Sequence, residues 1–418
     1  MKKLLIIYPN WVPSNAVGVQ RVRLITNYLH QFGWEPTILT VNSKFYEEET
    51  SSDLIKIANP NIKVEYVDAK KSSKIRLYGD IALRAFGNLK RKAIEIVKEQ
   101  NIDFIWTPIP PFYTALIARS VHDATGVPYA IDYIDPWVHE FPGSNNLFSR
   151  AKLATLVANI LEPIAVKKVS VFTGVSEAYF LPVLKRNPKL KDVAFCGMPY
   201  GFDSNDYKVK PDNTELMWDG RDEVIPFVYA GAFLPNAHYF LNTLFEIISE
   251  LRKSGELDNR IRFYFVGTSY TSLKSIQDYA NENGIEDIVT ENRERISYLE
   301  VLNNLSCAAG VLAIGSTEPH YTASKIFQSV LSSKPVFAVF HHLSTVVKIL
   351  KDTNADQYLV KYIDSESKEQ LRKKMKNSFI SFINTSKGWH PRFEALDQYS
   401  AKNSAKALAS VLNSKLIN

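Results

Sequence analysis

The sequence predicts two doubly wound α/β domains in tandem, and three observations carry that expectation. The first is length. A chain of 418 residues exceeds what one hydrophobic core ordinarily organises and suits two domains of roughly 200 residues each. The second is a regular alternation of short apolar runs with amphipathic stretches, the signature of parallel strands joined by crossover helices. The third is a break in that alternation. The polar, irregular segment 204–222, with Lys208, Lys210, Pro211 and Asp212, reads as a linker between two similar sets.

The first set opens on a strand at Leu4–Tyr8. Although Met1-Lys2-Lys3 precedes it, the apolar run is short and stops at Pro9-Asn10, so it reads as a buried strand rather than a signal peptide. A helical stretch at Val19–Phe32, strands at Thr37–Val41 and Lys63–Val67, a helix at Ile81–Glu99 and a strand at Phe104–Thr107 follow. Ala115–Thr125, the strand Tyr129–Asp132, the helical Lys152–Lys167 and the strand Val169–Gly174 extend the pattern. These define an N-terminal domain over 1–205. The second set, 206–390, begins with the strand Phe227–Ala230 closed by Gly231, then the helix Tyr239–Ser254 and the strand Arg262–Val266 closed by Gly267. It continues with a helix near Ser272–Asn283, the strand Ile288–Thr290 and a helix near Tyr298–Leu305. The strand Gly310–Ala313, a helix near Ser324–Ser332 and the strand Pro335–Val339 complete it. In 391–418 an apolar stripe of Ala401, Ala405, Leu408, Val411 and Leu412 marks C-terminal helix, which either caps the second domain or crosses back to the first.

Composition narrows the function classes. The net charge of +6 is modest and spread along the chain, which argues against nucleic acid and fits an anionic small substrate or an anionic membrane surface. The two cysteines, Cys196 and Cys307, give neither a disulfide framework nor metal-ligand spacing, and a reducing, cytoplasmic compartment is expected. No stretch reaches the ~20 apolar residues needed to span a bilayer, so membrane contact would be peripheral. The basic residues Lys70, Lys71, Lys74, Arg76, Arg84, Lys90, Arg91 and Lys92 suit either an anionic leaflet or a solvated helix face.

Four loops at predicted strand ends carry the candidate chemistry. In Trp11–Arg21, Gly18 and Arg21 join helix N-terminal amides to a cation, which suits an anionic or hydroxylated ligand; an ordinary loop with an exposed arginine is the alternative. After the strand ending at Asp132 come Asp135, Pro136 and Trp137. Two carboxylates beside an aromatic suit proton handling and sugar binding, with Asp135 the catalytic candidate and Asp132 and Trp137 on the acceptor side; a capped turn is the alternative. At Ala230-Gly231-Ala232-Phe233 small residues let backbone approach a phosphate, unless Gly231 merely ends the strand. In Glu318–Gln328, Thr322 or Ser324 can cap a helix whose first turn holds Lys325, while Gln328 lies near Lys325 on the helix surface and can reach a ribose hydroxyl. A well-capped helix with a solvated lysine is the alternative. No G-x-G-x-x-G, H-E-x-x-H, C-x-x-C or P-loop occurs, and His320, His341 and His342 read as ordinary loop histidines.

Together these regions resemble the family 4 glycosyltransferases of the GT-B fold. LLIIYPNWVPSNAVGVQR with GWEPTILTV is similar to that family's first strand, glycine loop and second strand. VFTGVSEAY and PYGFD resemble its interdomain stretch, FVYAGAF and FYFVG its first donor-domain strands, and YTASKIFQSVLSSKPVFAVF its donor-site helix. The resemblance is piecewise over nearly the whole chain. It implies two Rossmann-like domains facing across a cleft and transfer, retaining, of a hexose-type sugar from a nucleotide diphosphate donor to a glycan or lipid-linked acceptor. Cell-surface polysaccharide synthesis at the inner face of the membrane, without metal or other cofactor, is the implied setting. Gly18, Gly231 and Lys325 would lie at the diphosphate, Gln328 at the ribose and Asp135 on the acceptor side. The family's two glutamates eight apart correspond here to His320 and Gln328, so the carboxylate pair is missing. A nucleotide-sugar 2-epimerase of the same fold and a non-catalytic nucleotide- or glycan-binding relative are the alternatives.

Overall fold

A computed structural model describes residues 1–71, 80–138, 150–219, 223–269, 274–317, 325–384 and 388–416. Two compact units result: Met1–Asp203 with Tyr399–Asn418, and Ser204–Gln398. The first unit opens with β1 (Lys2–Ile7), α1 (Val17–Leu29), β2 (Trp34–Val41) and α2 (Asp53–Ile57). Next come β3 (Lys63–Val67), α3 (Ile81–Gln100), β4 (Phe104–Ile109), α4 (Tyr113–Thr125) and β5 (Tyr129–Tyr133). It ends with α5 (Arg150–Val166), β6 (Val171–Gly174), α6 (Glu177–Arg186) and β7 (Ala194–Gly197). All seven strands are parallel, in the order β3-β2-β1-β4-β5-β6-β7.

The second unit repeats the plan. It runs β8 (Ile225–Ala230), α7 (His238–Lys253), β9 (Ile261–Val266), α8 (Ile276–Asn283), β10 (Val289–Asn292) and α9 (Tyr298–Cys307). Then follow β11 (Gly310–Ile314), α10 (Ile326–Leu331), β12 (Val336–His341), α11 (Thr345–Asp352), β13 (Tyr358–Tyr362) and α12 (Lys368–Ile383). Its sheet is also parallel, in the order β10-β9-β8-β11-β12-β13.

Why β1 reads as an unbroken apolar run is visible in the packing. Leu5 and Ile7 join the cluster formed with α3, α4 and α5, while Leu4 and Ile6 join the cluster on the opposite face with α1. A parallel strand covered on both sides has no polar face to show. The last helix, α13 (Ala401–Ser414), completes that second layer, with Ala405, Leu408 and Leu412 buried beside Val22, Ile25 and Leu29 of α1. Removing one such leucine side chain costs about 2–5 kcal/mol. Residues 391–398 lie in the second unit and α13 in the first.

Several elements differ from the sequence reading. The second sheet does not end at Val339: α11, β13 and α12 follow, and β13 pairs with β12 as the outer strand. Lys361 interrupts its apolar run on the exposed side, which is why the pattern is weak. The polar segment read as a linker packs on the second unit. Met217 donates its backbone N–H to Asn304 Oδ1 at 3.1 Å, Asn303 donates to the Thr214 carbonyl at 3.1 Å, and Trp218 packs on Tyr264. Among the described residues no helix is long and apolar enough to cross a membrane.

Candidate functional site

Open parallel sheets offer ligand sites outside the carboxyl ends of their strands, where the strand order reverses. That reversal falls between β1 and β4 in the first unit and between β8 and β11 in the second.

In the first unit, Arg21 projects from α1 to Asp132 at the end of β5. Its Nε and Nη2 donate to the two carboxylate oxygens at 2.6 and 2.8 Å, and Nη1 donates to the Met198 and Pro199 carbonyls at 3.2 and 2.9 Å. Thr173 donates its hydroxyl to Asp132 Oδ1 at 2.7 Å, and Trp106 Nε1 donates to Thr173 at 3.2 Å. Both side chains of the ion pair are wholly buried. This corrects the reading of Arg21 as a cation offered to the donor and of Asp132 as an acceptor contact. Each is saturated by the other, and the pair ties α1, β5 and the stretch after β7 together. A bidentate pair whose guanidinium also donates to two backbone carbonyls is the arrangement that makes such burial tolerable.

Trp137 is corrected likewise. Its indole stacks on Phe112 with ring centroids 5.5 Å apart and planes within 6°, and it belongs to the apolar core. Asp135, by contrast, is exposed. Burial above all, with Tyr200, Glu48 and Asp135 as lesser causes, holds the Tyr8 hydroxyl well above the usual phenol range, and burial does the same to Tyr200. Tyr200 donates to the Val17 carbonyl in the first turn of α1. Gly18 packs under Tyr8: a Cβ there would stand 2.0 Å from the Tyr8 hydroxyl oxygen. An exposed carboxylate beside two protonated phenols at the mouth of β1 and β5 can receive hydroxyl groups. The tyrosines lay outside the sequence reading because nothing local to either predicts their meeting.

In the second unit, Gly231 ends β8 with φ +121°, a backbone conformation that disfavours any side chain. The half-buried Lys325 crosses directly over it. A Cβ on Gly231 would lie 1.6 Å from Lys325 Nζ, and Nζ donates to the Ala232 carbonyl at 3.4 Å. Lys325 comes from the β11–α10 connection, so the two residues bracket the reversal point of this sheet. Desolvation, with Arg295 nearby, lowers the ammonium to about 8. Arg293, which follows β10, donates its Nε to the Ser269 carbonyl at 3.2 Å. These two arginines, in the run Asn292-Arg293-Glu294-Arg295, add positive charge at the same edge and were not singled out from sequence.

Gln328 sits in α10, its carbonyl accepting from the Tyr207 hydroxyl at 2.6 Å and its Nε2 at 3.5 Å from the Tyr298 hydroxyl. The helix starts at Ile326, so Lys325 stands at its cap rather than in its first turn. Ser324 and His320 lie outside the described residues. Thus Gly231 and Lys325, named separately from sequence, are in contact. Among the described residues no group of three or more His, Cys, Asp or Glu side chains could hold a metal ion.

The whole architecture has counterparts among solved structures. Anabaena HepE in complex with UDP and glucose superimposes with a TM-score of 0.60 at 13% identity, over 99% of this chain and 100% of that one. Trehalose-6-phosphate synthase OtsA gives 0.60 at 10% identity, over 99% of each chain. A putative UDP-N-acetylglucosamine 2-epimerase from Listeria monocytogenes gives 0.56 at 8% identity, covering 99% and 96%. No family model matches the chain, and no curated protein matches it in sequence. The fold is therefore the GT-B glycosyltransferase fold, two parallel-sheet α/β domains of seven and six strands.

Proposed function

We propose that this protein is a glycosyltransferase that draws a sugar from a nucleoside diphosphate donor and passes it to a glycan or lipid-linked acceptor. The observation that carries the reading is Lys325 seated on Gly231 at the reversal point of the second sheet, a desolvated ammonium over bare backbone. That geometry suits a diphosphate. The cation is already partly desolvated, and the charge that develops on the departing diphosphate is larger than in the ground state, so the same contact favours the transition state. Arg293 and Arg295 strengthen the field, and Gln328 offers an amide to a ribose hydroxyl. HepE and OtsA have this fold, and HepE binds UDP and glucose.

On the acceptor side Asp135 is the exposed carboxylate, and Gly18 lets the Tyr8 hydroxyl pack against the first turn of α1. We infer a retaining transfer in which the donor phosphate takes the acceptor proton, leaving the protein to position groups and stabilise charge. No metal or other cofactor is required by that scheme. A hexosyl donor and a cell-surface polysaccharide precursor are the expected substrates, met in the cytoplasm or at the inner face of its membrane. A second reading, a nucleotide-sugar 2-epimerase, draws on the Listeria structure of the same fold.

The test is a thermal-shift and calorimetric screen against nucleoside diphosphates and their sugars, since a ligand bound only by the folded state raises its melting temperature. One nucleotide should give a clear shift, and Lys325→Ala should weaken it by about 10- to 100-fold, the loss of one charge-assisted contact. Lys90→Ala should leave it unchanged. Equal effects of the two substitutions, or no shift with any nucleotide, overturn the donor site. Chromatography of the bound sugar nucleotide after incubation without acceptor separates the readings, because only an epimerase returns an isomer.

A further inference from the structure

Helix α5 shows an outward apolar stripe that stays exposed among the described residues. Leu153, Leu156, Ile160 and Ile164 are 61%, 56%, 58% and 51% exposed. Their spacing of three, four and four residues keeps them within one face of a helix, a ridge of roughly 16 Å. Single exposed leucines are ordinary, but four in register are not.

The charge around the ridge is mostly positive, five lysines against Asp192 in the groove and Asp123 beside it. Lys167 and Lys168 follow three and four residues beyond Ile164, and with Lys189, Lys191 and Lys415 they line a groove of 420 Å³ at the end of the helix. Lys168 shares Asp123 with Arg119, and Lys415 donates to the Asp192 carbonyl. Lys167, Lys189 and Lys191 are exposed and, among the described residues, form no ion pair. The one acidic residue of α5, Glu162, is buried and held by Arg186, whose Nη2 approaches to 2.6 Å. The other end of α5 is also basic, with Lys152. Packing α5 on a second copy, parallel or antiparallel, therefore sets cation against cation.

Two basic residues of α3, Arg84 and Lys92, contrast with these. Arg84 is buried, bonded to the Lys70 and Phe45 carbonyls and paired with Glu47, while Lys92 is paired with Glu65 and Glu95. That charge is already spent within the protein. An apolar ridge flanked at both ends by cations is the pattern of a surface that lies in the headgroup layer of an anionic bilayer. We propose that α5 and its lysine groove dock the protein on anionic lipid, the leucines and isoleucines entering the interface and the lysines meeting phosphates.

The experiment is co-sedimentation of the full chain, without nucleotide, with vesicles of phosphatidylcholine alone and of phosphatidylcholine mixed with phosphatidylglycerol. The protein should sediment with the mixed vesicles only, and high salt should release it. Leu156→Ser with Ile160→Ser should lower binding by about tenfold or more, and Lys167→Glu with Lys191→Glu by at least about fivefold per lysine. Both variants replace exposed side chains, and an unchanged melting temperature shows that they fold. Absence of sedimentation with the mixed vesicles overturns the proposal, as does binding that neither variant weakens. A dimer in solution that Leu156→Ser with Ile160→Ser converts to monomer overturns it too, since a second copy would then cover the ridge. Failure on vesicles leaves the nucleotide screen untouched, so the two proposals fall separately.

Discussion

The two sheets share one strand order at their centres yet treat a cation at the reversal point in opposite ways. In the first unit Arg21 is wholly buried and bound on both faces of its fork, by Asp132 and by the carbonyls of Met198 and Pro199. In the second, Lys325 lies over Gly231 with a carbonyl at 3.4 Å and, among the described residues, no carboxylate partner. One cation builds the fold; the other, in the function proposed above, meets an anion from outside. A positive residue at a strand end is thus ambiguous until its partner is known. What distinguishes the two is whether the chain itself supplies the negative charge.

The sharpest way to break that contrast is Asp132→Ala. It strands the Arg21 guanidinium in a dry interior, and removing one partner of a buried pair costs about 3–5 kcal/mol. Urea unfolding should show a loss of that size, whereas Lys325→Ala should cost almost nothing, because among the described residues the lysine has no fixed counter-charge to lose. Similar losses from both would mean that Lys325 is as structural as Arg21.

A smaller effect comes from Gly231→Ala. The new Cβ meets Lys325 Nζ at 1.6 Å, and the backbone at φ +121° disfavours a side chain regardless of space, a strain on the order of 1–3 kcal/mol. Nucleoside diphosphate binding should be lost as the ammonium is pushed aside. Combining it with Lys325→Ala removes the clash but not the strained φ, so only part of the stability should return. Unimpaired nucleotide binding by Gly231→Ala would remove the lysine's seat from the argument.

The sequence was legible where its information is local. Leu4–Tyr8, the helix 81–99 and Gly231 at the end of a strand announce themselves by period and by residue type. Pairings across long separations were not: Arg21 meets Asp132, and Gly231 meets Lys325, through sheet topology that no window of sequence contains. Hence Gly231 and Lys325 were found singly, and Arg21 and Asp132 were assigned to ligands when they satisfy each other. Trp137 misled in a similar way. A tryptophan after Pro136 in a strand-end loop reads as a sugar platform, yet Phe112, brought in by the connection after β4, takes its face first. The segment 204–222 looked like a linker because it is polar; its hydrogen-bond partners, Asn303 and Asn304, come from α9.

The mildest perturbation is pH, and it sharpens the contrast without touching the sequence. Burial and Arg295 lower the Lys325 ammonium to about 8 in the free protein, while a bound diphosphate favours the charged form and raises that value. Between the two values binding takes up a proton. Affinity for a nucleoside diphosphate should therefore be flat just below about pH 8 and fall above it, at most about tenfold per pH unit, which is about 1.4 kcal/mol. Calorimetry in buffers of different ionisation enthalpy would register the proton uptake directly. Lys325→Arg supplies the control, because a guanidinium stays charged throughout this range and its affinity should not follow the same fall. A flat wild-type curve, or an identical decline in Lys325→Arg, would show that the cation facing the ligand is not the one seated on Gly231.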